Sequence, residues 1–254
     1  MIKKRHLQAG NGHLILVVIT VLIMAGVVGY VWWHNTIGER AEMESYLEQK
    51  YGKKFEVTEI RTEGAGIGMP GTPVAKANLV GDDSLQFKVW DKGGRSFSDE
   101  YLRILWSAQA KKLLGEFVDN NLPDVDSYSF EVLPDYDLVN TNYPSTKTVI
   151  GFKDTLNKYP EQLASNISIK SSRAASHDEP SGSELERAFI FIQFVKQLGI
   201  TTGNVSYIYT DPSYTETNKY GDAIYRYQIS IDASELKDIE SREQLNTYFQ
   251  DRIK

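Results

Sequence analysis

The chain contains no cysteine. That excludes disulfides, thiolate metal sites and cysteine nucleophiles. Secreted eukaryotic domains commonly rely on disulfides, so the absence favours a bacterial surface protein. Histidine is nearly as scarce, with four in 254 residues. His6, His13 and His34 fall in or beside the N-terminal segment, which leaves His177 alone in the body of the chain. One imidazole without thiolates cannot assemble an ordinary zinc site. A Ser-His-Asp triad would have to recruit His177 from a polar loop, and no nucleophile-elbow serine accompanies it. His177 therefore reads as a solvated side chain. No catalytic residue, metal or cofactor is expected, and the chain reads as a non-enzyme.

Positive charge is in deficit as well. There are 28 Lys and Arg against 34 Asp and Glu. Three of the basic residues, Lys3, Lys4 and Arg5, precede Leu14, so the part after Trp33 carries 25 basic and 34 acidic residues, net −9. Such a surface lacks the basic face that nucleic acid requires, so no nucleic-acid partner is expected. It also opposes broad electrostatic docking on anionic lipid.

The most informative segment present is apolar. Leu14 to Trp33 is 20 residues without a charge. As a helix it reaches about 30 Å, the thickness of a bilayer's hydrocarbon core. Leu14, Val18, Leu22, Val27 and Val31 mark its apolar face, and Trp32 and Trp33 suit the outer interface. The basic residues lie before it, and Glu39, Glu42 and Glu44 with Arg40 follow. The positive-inside bias then keeps residues 1–13 in the cytoplasm and sends the rest outside. The run is too long for a signal-peptide core and no A-x-A site follows, so it reads as an uncleaved signal anchor. The expected localisation is the cell membrane, single-pass, with an extracytoplasmic C-terminal part.

That part has about 220 residues, enough for two small units. Ile37 to Tyr51 can extend the helix beyond the membrane, with Met43, Leu47 and Tyr51 at helical spacing and Gly52 as its stop. Strands are expected at 55–60, 74–80 and 85–90, and Ser98 is expected to cap a long helix with an apolar stripe through Leu102, Leu105, Trp106 and Leu114. Residues 119–126 read as a polar linker. The second unit reads as strands near 127–133 and 167–170, a helix opened by the capping box Ser183-Glu-Leu-Glu186, an antiparallel hairpin of 205–210 with 224–232, and a last helix opened by Ser241-Arg-Glu-Gln244. The fold class is α+β: a transmembrane helix, then two small layers of antiparallel sheet with helices on one face. The divisions are 1–13 (tail), 14–33 (anchor), 34–118 (first unit), 119–126 (linker) and 127–254 (second unit).

Two patterns mimic functional motifs. Gly66-Ile-Gly68-Met-Pro-Gly71 matches G-x-G-x-x-G, but a phosphate-binding loop must open a helix, and here prolines and a strand follow. It reads as a turn. Asp124, Asp126, Asp135 and Asp137 sit in two Leu-Pro-Asp fragments that read as turn-forming aspartates rather than a calcium loop. Tyrosine is abundant, with 15 residues. Tyr214 and Tyr220 occupy the expected loop of the last hairpin, and exposed rings can bind a partner at low entropic cost. They are the candidate binding residues.

The anchor, Leu47-Glu-Gln-Lys-Tyr-Gly52 running into Phe55-Glu-Val57, Pro73-Val-Ala-Lys-Ala77, Phe87-Lys-Val89, Ser98-Asp-Glu-Tyr-Leu102 and Val205-Ser-Tyr-Ile-Tyr209 resemble the YfjL-like group of uncharacterised Gram-positive membrane-anchored proteins. The resemblance implies an outward-facing, two-part α+β protein and transfers no catalytic residue. The expected function is a non-enzymatic binding or accessory module of the cell envelope, with a wall component or a membrane protein as partner. A carboxylate-dependent wall-glycan hydrolase and an accessory subunit of a membrane complex are the alternatives.

Overall fold

A computed structural model of the chain describes residues 11–66, 68–69, 71–142, 148–171, 182–209 and 227–251. It is mixed α+β. The first helix, α1, is continuous from Asn11 to Tyr51. Its early side chains from Leu16 to Val27 are largely exposed, Leu16 and Leu22 at 65% each. Its last turns are the reverse: Met43 and Leu47 are fully buried and Tyr51 nearly so. Among the described residues no helix is long and apolar enough to cross a membrane. The side chains described in the apolar run are those of residues 16–27 and Gly29, about 20 Å of helix against a hydrocarbon core of roughly 30 Å. Leu14, Val31, Trp32 and Trp33 share the helical backbone, with side chains outside those described.

Gly52, at φ +66°, ends α1 by donating to Glu48 O at 2.8 Å, the left-handed stop that glycine supplies. The chain then reverses into β1 (Phe55–Glu63), β2 (Thr72–Leu79) and β3 (Asp82–Asp91), an antiparallel meander. A short fourth strand, β4 (Phe97–Asp99), pairs with β3. The expected helix cap therefore moves. Ser98 and Asp99 are strand residues and α2 begins at Tyr101 and runs to Asn121. Strand pairing with Val89 and Trp90 outcompetes the local capping signal at these positions. Gly66 and Met69 close the β1–β2 connection with two mutual backbone hydrogen bonds of 3.0 and 3.1 Å, and β2 follows, so the G-x-G-x-x-G sequence is a turn.

Helix α2 buries Leu102, Trp106, Ala110, Leu114 and Val118, one residue every four. Its Trp106 indole donates to Ile150 O at 3.0 Å, and Gln109 accepts from Phe152 N–H at 2.7 Å. These bonds hold the segment that opens α3 (Phe152–Lys158). Residues 119–126 contain the end of α2, fully buried Leu122 and the start of β5 (Val125–Pro134).

The second sheet follows the order β5, β6 (Leu163–Ser171), β7 (Gly203–Tyr209), β8 (Tyr227–Asp232), β9 (Phe249–Asp251). It differs from the expected antiparallel layer: β6 and β7 are parallel, joined through α4 (Gly182–Leu198). A parallel neighbour requires a crossover, and the apolar helix supplies it. The short β9 adds an edge strand where a last helix was expected, after a 3-10 turn, Arg242–Tyr248. The Gln244 side chain accepts from Ser241 N–H at 2.9 Å there, as the capping pattern requires. Ile229 and Ile231 are buried while Gln228, Ser230 and Asp232 face outward, the alternation expected for this strand. Ser129, Ser168, Ser206 and Ser230 form one cross-strand row on that polar face.

Gly203 starts β7 at φ +113°, and a Cβ there would lie 2.0 Å from Ser165 O. Gly182, by contrast, has open space around it. Gly203→Ala is expected to cost more than about 3 kcal/mol of unfolding free energy, from backbone strain plus overlap. Gly182→Ala should change it by less than about 1 kcal/mol. Denaturant titration of the two variants distinguishes these outcomes.

Candidate functional site: a cleft above a buried carboxylate

The end of α1 carries one charge on its buried stripe, Lys50, only 8% exposed. Its ammonium lies 2.8 Å from Asp99 Oδ2, whose side chain is fully buried. Tyr46 donates to the same oxygen at 2.8 Å. Tyr51 and the Tyr101 N–H donate to Oδ1 at 2.7 and 3.0 Å. Each carboxylate oxygen thus accepts two hydrogen bonds, the saturation that lets an anion stay buried. Burial, reinforced by the Asp99 charge, pushes the Tyr46 and Tyr51 phenols far above their ordinary range, so both remain donors. The rings of Tyr51, Phe55, Phe87 and Tyr101 pack around the group at centroid separations from 4.7 to 6.0 Å.

Above this clasp lies a cleft of about 300 Å³. Lys50, Asp99, Glu100 and Arg103 form its polar wall. Leu133, Pro134, Tyr136 and Val139, from the end of β5 and the π turn Leu138–Asn142, form the apolar wall. Tyr136 is 76% exposed at the lip. Arg103 bridges the walls, 2.5 Å from Glu100 and 2.6 Å from Glu131. The volume is at the lower limit of ligand sites, and the location between elements of two sheets is where such sites form. The lining carboxylates Asp99 and Glu100 are both engaged by cations. Polar groups on one wall, an apolar wall opposite and the exposed Tyr136 ring at the lip make an arrangement able to hold a small group.

Two other hollows are less suited. In the one beside the end of α4, about 320 Å³, the Lys196 ammonium is committed to Ile239 O at 2.9 Å. The groove between α2 and α4 is lined by Phe117, Phe189, Ile190 and Phe194, with Phe117 and Phe194 stacked at 4.2 Å. Near the ends of β6 and β7, Arg187 reaches Asp124 at 3.4 Å, and two of its buried nitrogens have no hydrogen-bond partner among the described residues. The Tyr207 phenol beside it is raised by burial, with Arg187 and Ser171 opposing the shift.

Tyr214 and Tyr220 lie outside the described residues, as does His177. Tyr209 and Tyr227, which flank the tyrosine segment, pair across β7 and β8. Asp135 accepts from Asp137 N–H at 3.1 Å, the turn role expected of it. Among the described residues no group of three or more His, Asp and Glu could hold a metal. The clasp itself was missed from sequence. Its signal was Lys50 falling in register with Met43 and Leu47.

No family model matches the chain, and no curated protein does. Two solved structures are similar. A DUF5037 family protein from Ruminococcus gnavus is 14% identical, with TM-score 0.40 over 69% of this chain and 76% of that one. A DUF1672 family protein from Staphylococcus aureus is 11% identical, with TM-score 0.30 over 68% of this chain and 78% of that one.

Asp99→Ala should cost about 3–5 kcal/mol, because Lys50 is left buried without its counter-charge. Pairing Lys50→Met with Asp99→Ala should recover at least about 1 kcal/mol of the summed single losses in a double-mutant cycle. Acid response has two components. Hydrogen bonds from Lys76, Ser84 and Ser234 hold Glu59, Asp82 and Asp232 below their usual values. Their stabilisation is present above the unfolded values of 4.5 and 3.8 and is lost as pH falls through the folded ones. Glu39 is raised, first by burial, then by Asp91 and Glu42. A raised carboxyl penalises the folded state at neutral pH and ceases to do so below 4.5, its unfolded value. Glu39→Gln should therefore raise Tm at pH 7, with the gain vanishing near pH 4; calorimetry across that range checks both signs.

Proposed function

We propose that this chain is a single-pass membrane protein, its N-terminus cytoplasmic, whose ectodomain is a non-enzymatic binding or accessory module of a bacterial cell envelope. The observation that carries the reading is the change of character along α1. Its apolar side chains from Leu16 to Val27 are left exposed by the described residues, and its last turns are core. Exposed apolar side chains on successive turns are costly in water and favourable in lipid. The sequence around them supplies an uncharged run of 20 residues, preceded by Lys3, Lys4 and Arg5 with no acidic residue and followed by Glu39, Arg40, Glu42 and Glu44. The YfjL-like resemblance is compatible with this reading. The cleft above Asp99 is the proposed binding site, for a small group of a wall component or of a neighbouring membrane protein.

The chain has no native cysteine, so topology can be read one site at a time. Gln8→Cys and Val80→Cys, made singly in the full chain, are exposed to a membrane-impermeant maleimide on intact protoplasts. Position 80 should label at once and position 8 only after lysis. Labelling of position 8 first, or of neither until lysis, overturns the proposal. For the cleft, Tyr136→Ala should reduce by at least about threefold the yield of envelope material crosslinked to the ectodomain; an unchanged yield removes the cleft.

A further inference from the structure

We infer that the first sheet rests on the bilayer through the tip of its β1–β2 hairpin, so that Met69 sits among lipid headgroups of the outer leaflet. This rests on the membrane anchor proposed above. Three contacts set the direction. Val57 N–H donates to Glu44 at 3.0 Å, so β1 runs back along α1 toward the apolar run. Tyr46 packs on Phe97 with centroids 5.4 Å apart, and Arg95 lies 4.0 Å from Glu42. Lys50 meets Asp99. Residues 95, 97 and 99 thus track residues 42, 46 and 50, and the β3–β4 loop points the same way as the β1–β2 tip.

Strand and helix rises convert this into depth. From Val57 to Glu63 is about 20 Å of strand, which matches about 13 residues of helix. That figure is the upper bound for a parallel strand; β1 crosses α1 obliquely, since Asp99, in the row of Ile60, meets Lys50 while Val57 meets Glu44, so the strand is carried toward the outer end of the apolar run by somewhat less. The asymmetry of the end turns is consistent with contact. Met69 is 64% exposed at the tip, a large apolar side chain that the described residues leave largely uncovered. The neighbouring loop, Asp91 to Ser96, carries Lys92 and Arg95, the latter 87% exposed. Arg95 holds φ +64°, a conformation that glycine or asparagine adopts more readily. A cation is kept there at a steric disadvantage, level with Glu42 and so roughly two and a half helical turns, about 14 Å, above Trp33. At this end Lys92 and Arg95 stand among Glu39, Glu42, Glu63 and Asp91, so cations are present there beside carboxylates.

The test uses the full chain in phosphatidylcholine–phosphatidylglycerol vesicles, with an environment-sensitive fluorophore on single cysteines replacing Met69, Val80 or Val21. Val80 is the distant control, since its N–H bonds Lys54 O at the opposite end of the sheet. Val21 lies in the apolar run. Nitroxide-labelled lipid should quench positions 21 and 69 at least twofold more than position 80. Quenching at 21 with position 69 no different from 80 overturns the docking and leaves the anchor standing. No quenching at 21 overturns the anchor, and the docking with it. In the M69C background, Lys92→Glu with Arg95→Glu should at least halve the quenching at 69; unchanged quenching overturns the part assigned to the cations.

Discussion

One buried carboxylate organises this molecule. Asp99 is fully enclosed and holds four donors, two on each oxygen. Those donors come from the end of α1 and the first residue of α2, while Asp99 itself closes β4. Three elements that are distant in sequence therefore have one mutual position in which the charge is satisfied. Any slip of α1 by a turn would leave an ammonium and a carboxylate apart in an apolar enclosure, a state several kcal/mol higher. Apolar packing around it, from Met43, Leu47 and the four-ring cluster, contributes most of the area but little of the specificity. The charge group sets the register that the packing then fills.

Helix α2 carries that register into the second sheet. Ser107 accepts from the Val132 N–H at 2.8 Å, Arg103 pairs with Glu131, and the Tyr128 hydroxyl would lie 2.6 Å from a Cβ on Gly115. An edge strand is thereby lined by a helix, which occupies the place where another strand could add. The cleft is the space left where the two sheets diverge beyond this seam. Its polar wall belongs to the clasp and its apolar wall to the end of β5, so its shape depends on both.

Much of the architecture was legible in local patterns. Alternation identified the strands around Phe55, Val89 and Ile229, and the four-residue rhythm of Leu102, Trp106 and Leu114 identified α2. What was not legible was non-local. Ser98 and Asp99 read as a helix start because capping chemistry is local, whereas their pairing with β3 depends on Trp90 and Val89 being alongside. The parallel pairing of β6 and β7 leaves no local trace beyond the unusually apolar α4 between them. The three-residue strands β4 and β9 are too short to show alternation. Nothing local marks Lys50, because its burial depends on Asp99 and β4 lying alongside its turn of the helix. Tyr214 and Tyr220, read from the expected hairpin loop, lie outside the described residues, while the polar wall of the described cleft joins an arginine, a lysine and carboxylates that only folding brings together.

The unbroken backbone of α1 has a mechanical consequence. The described helix contains neither a proline nor a break between its apolar half and the turns that are wedged into the first unit. With no joint to absorb bending, any lean of the outer half becomes a lean of the whole folded body. Spans tilt to match the thickness of their bilayer, commonly by about 20°. In the membrane topology proposed above, the head would report lipid thickness as posture, turning a scalar property of the membrane into the angle at which its cleft meets the surroundings.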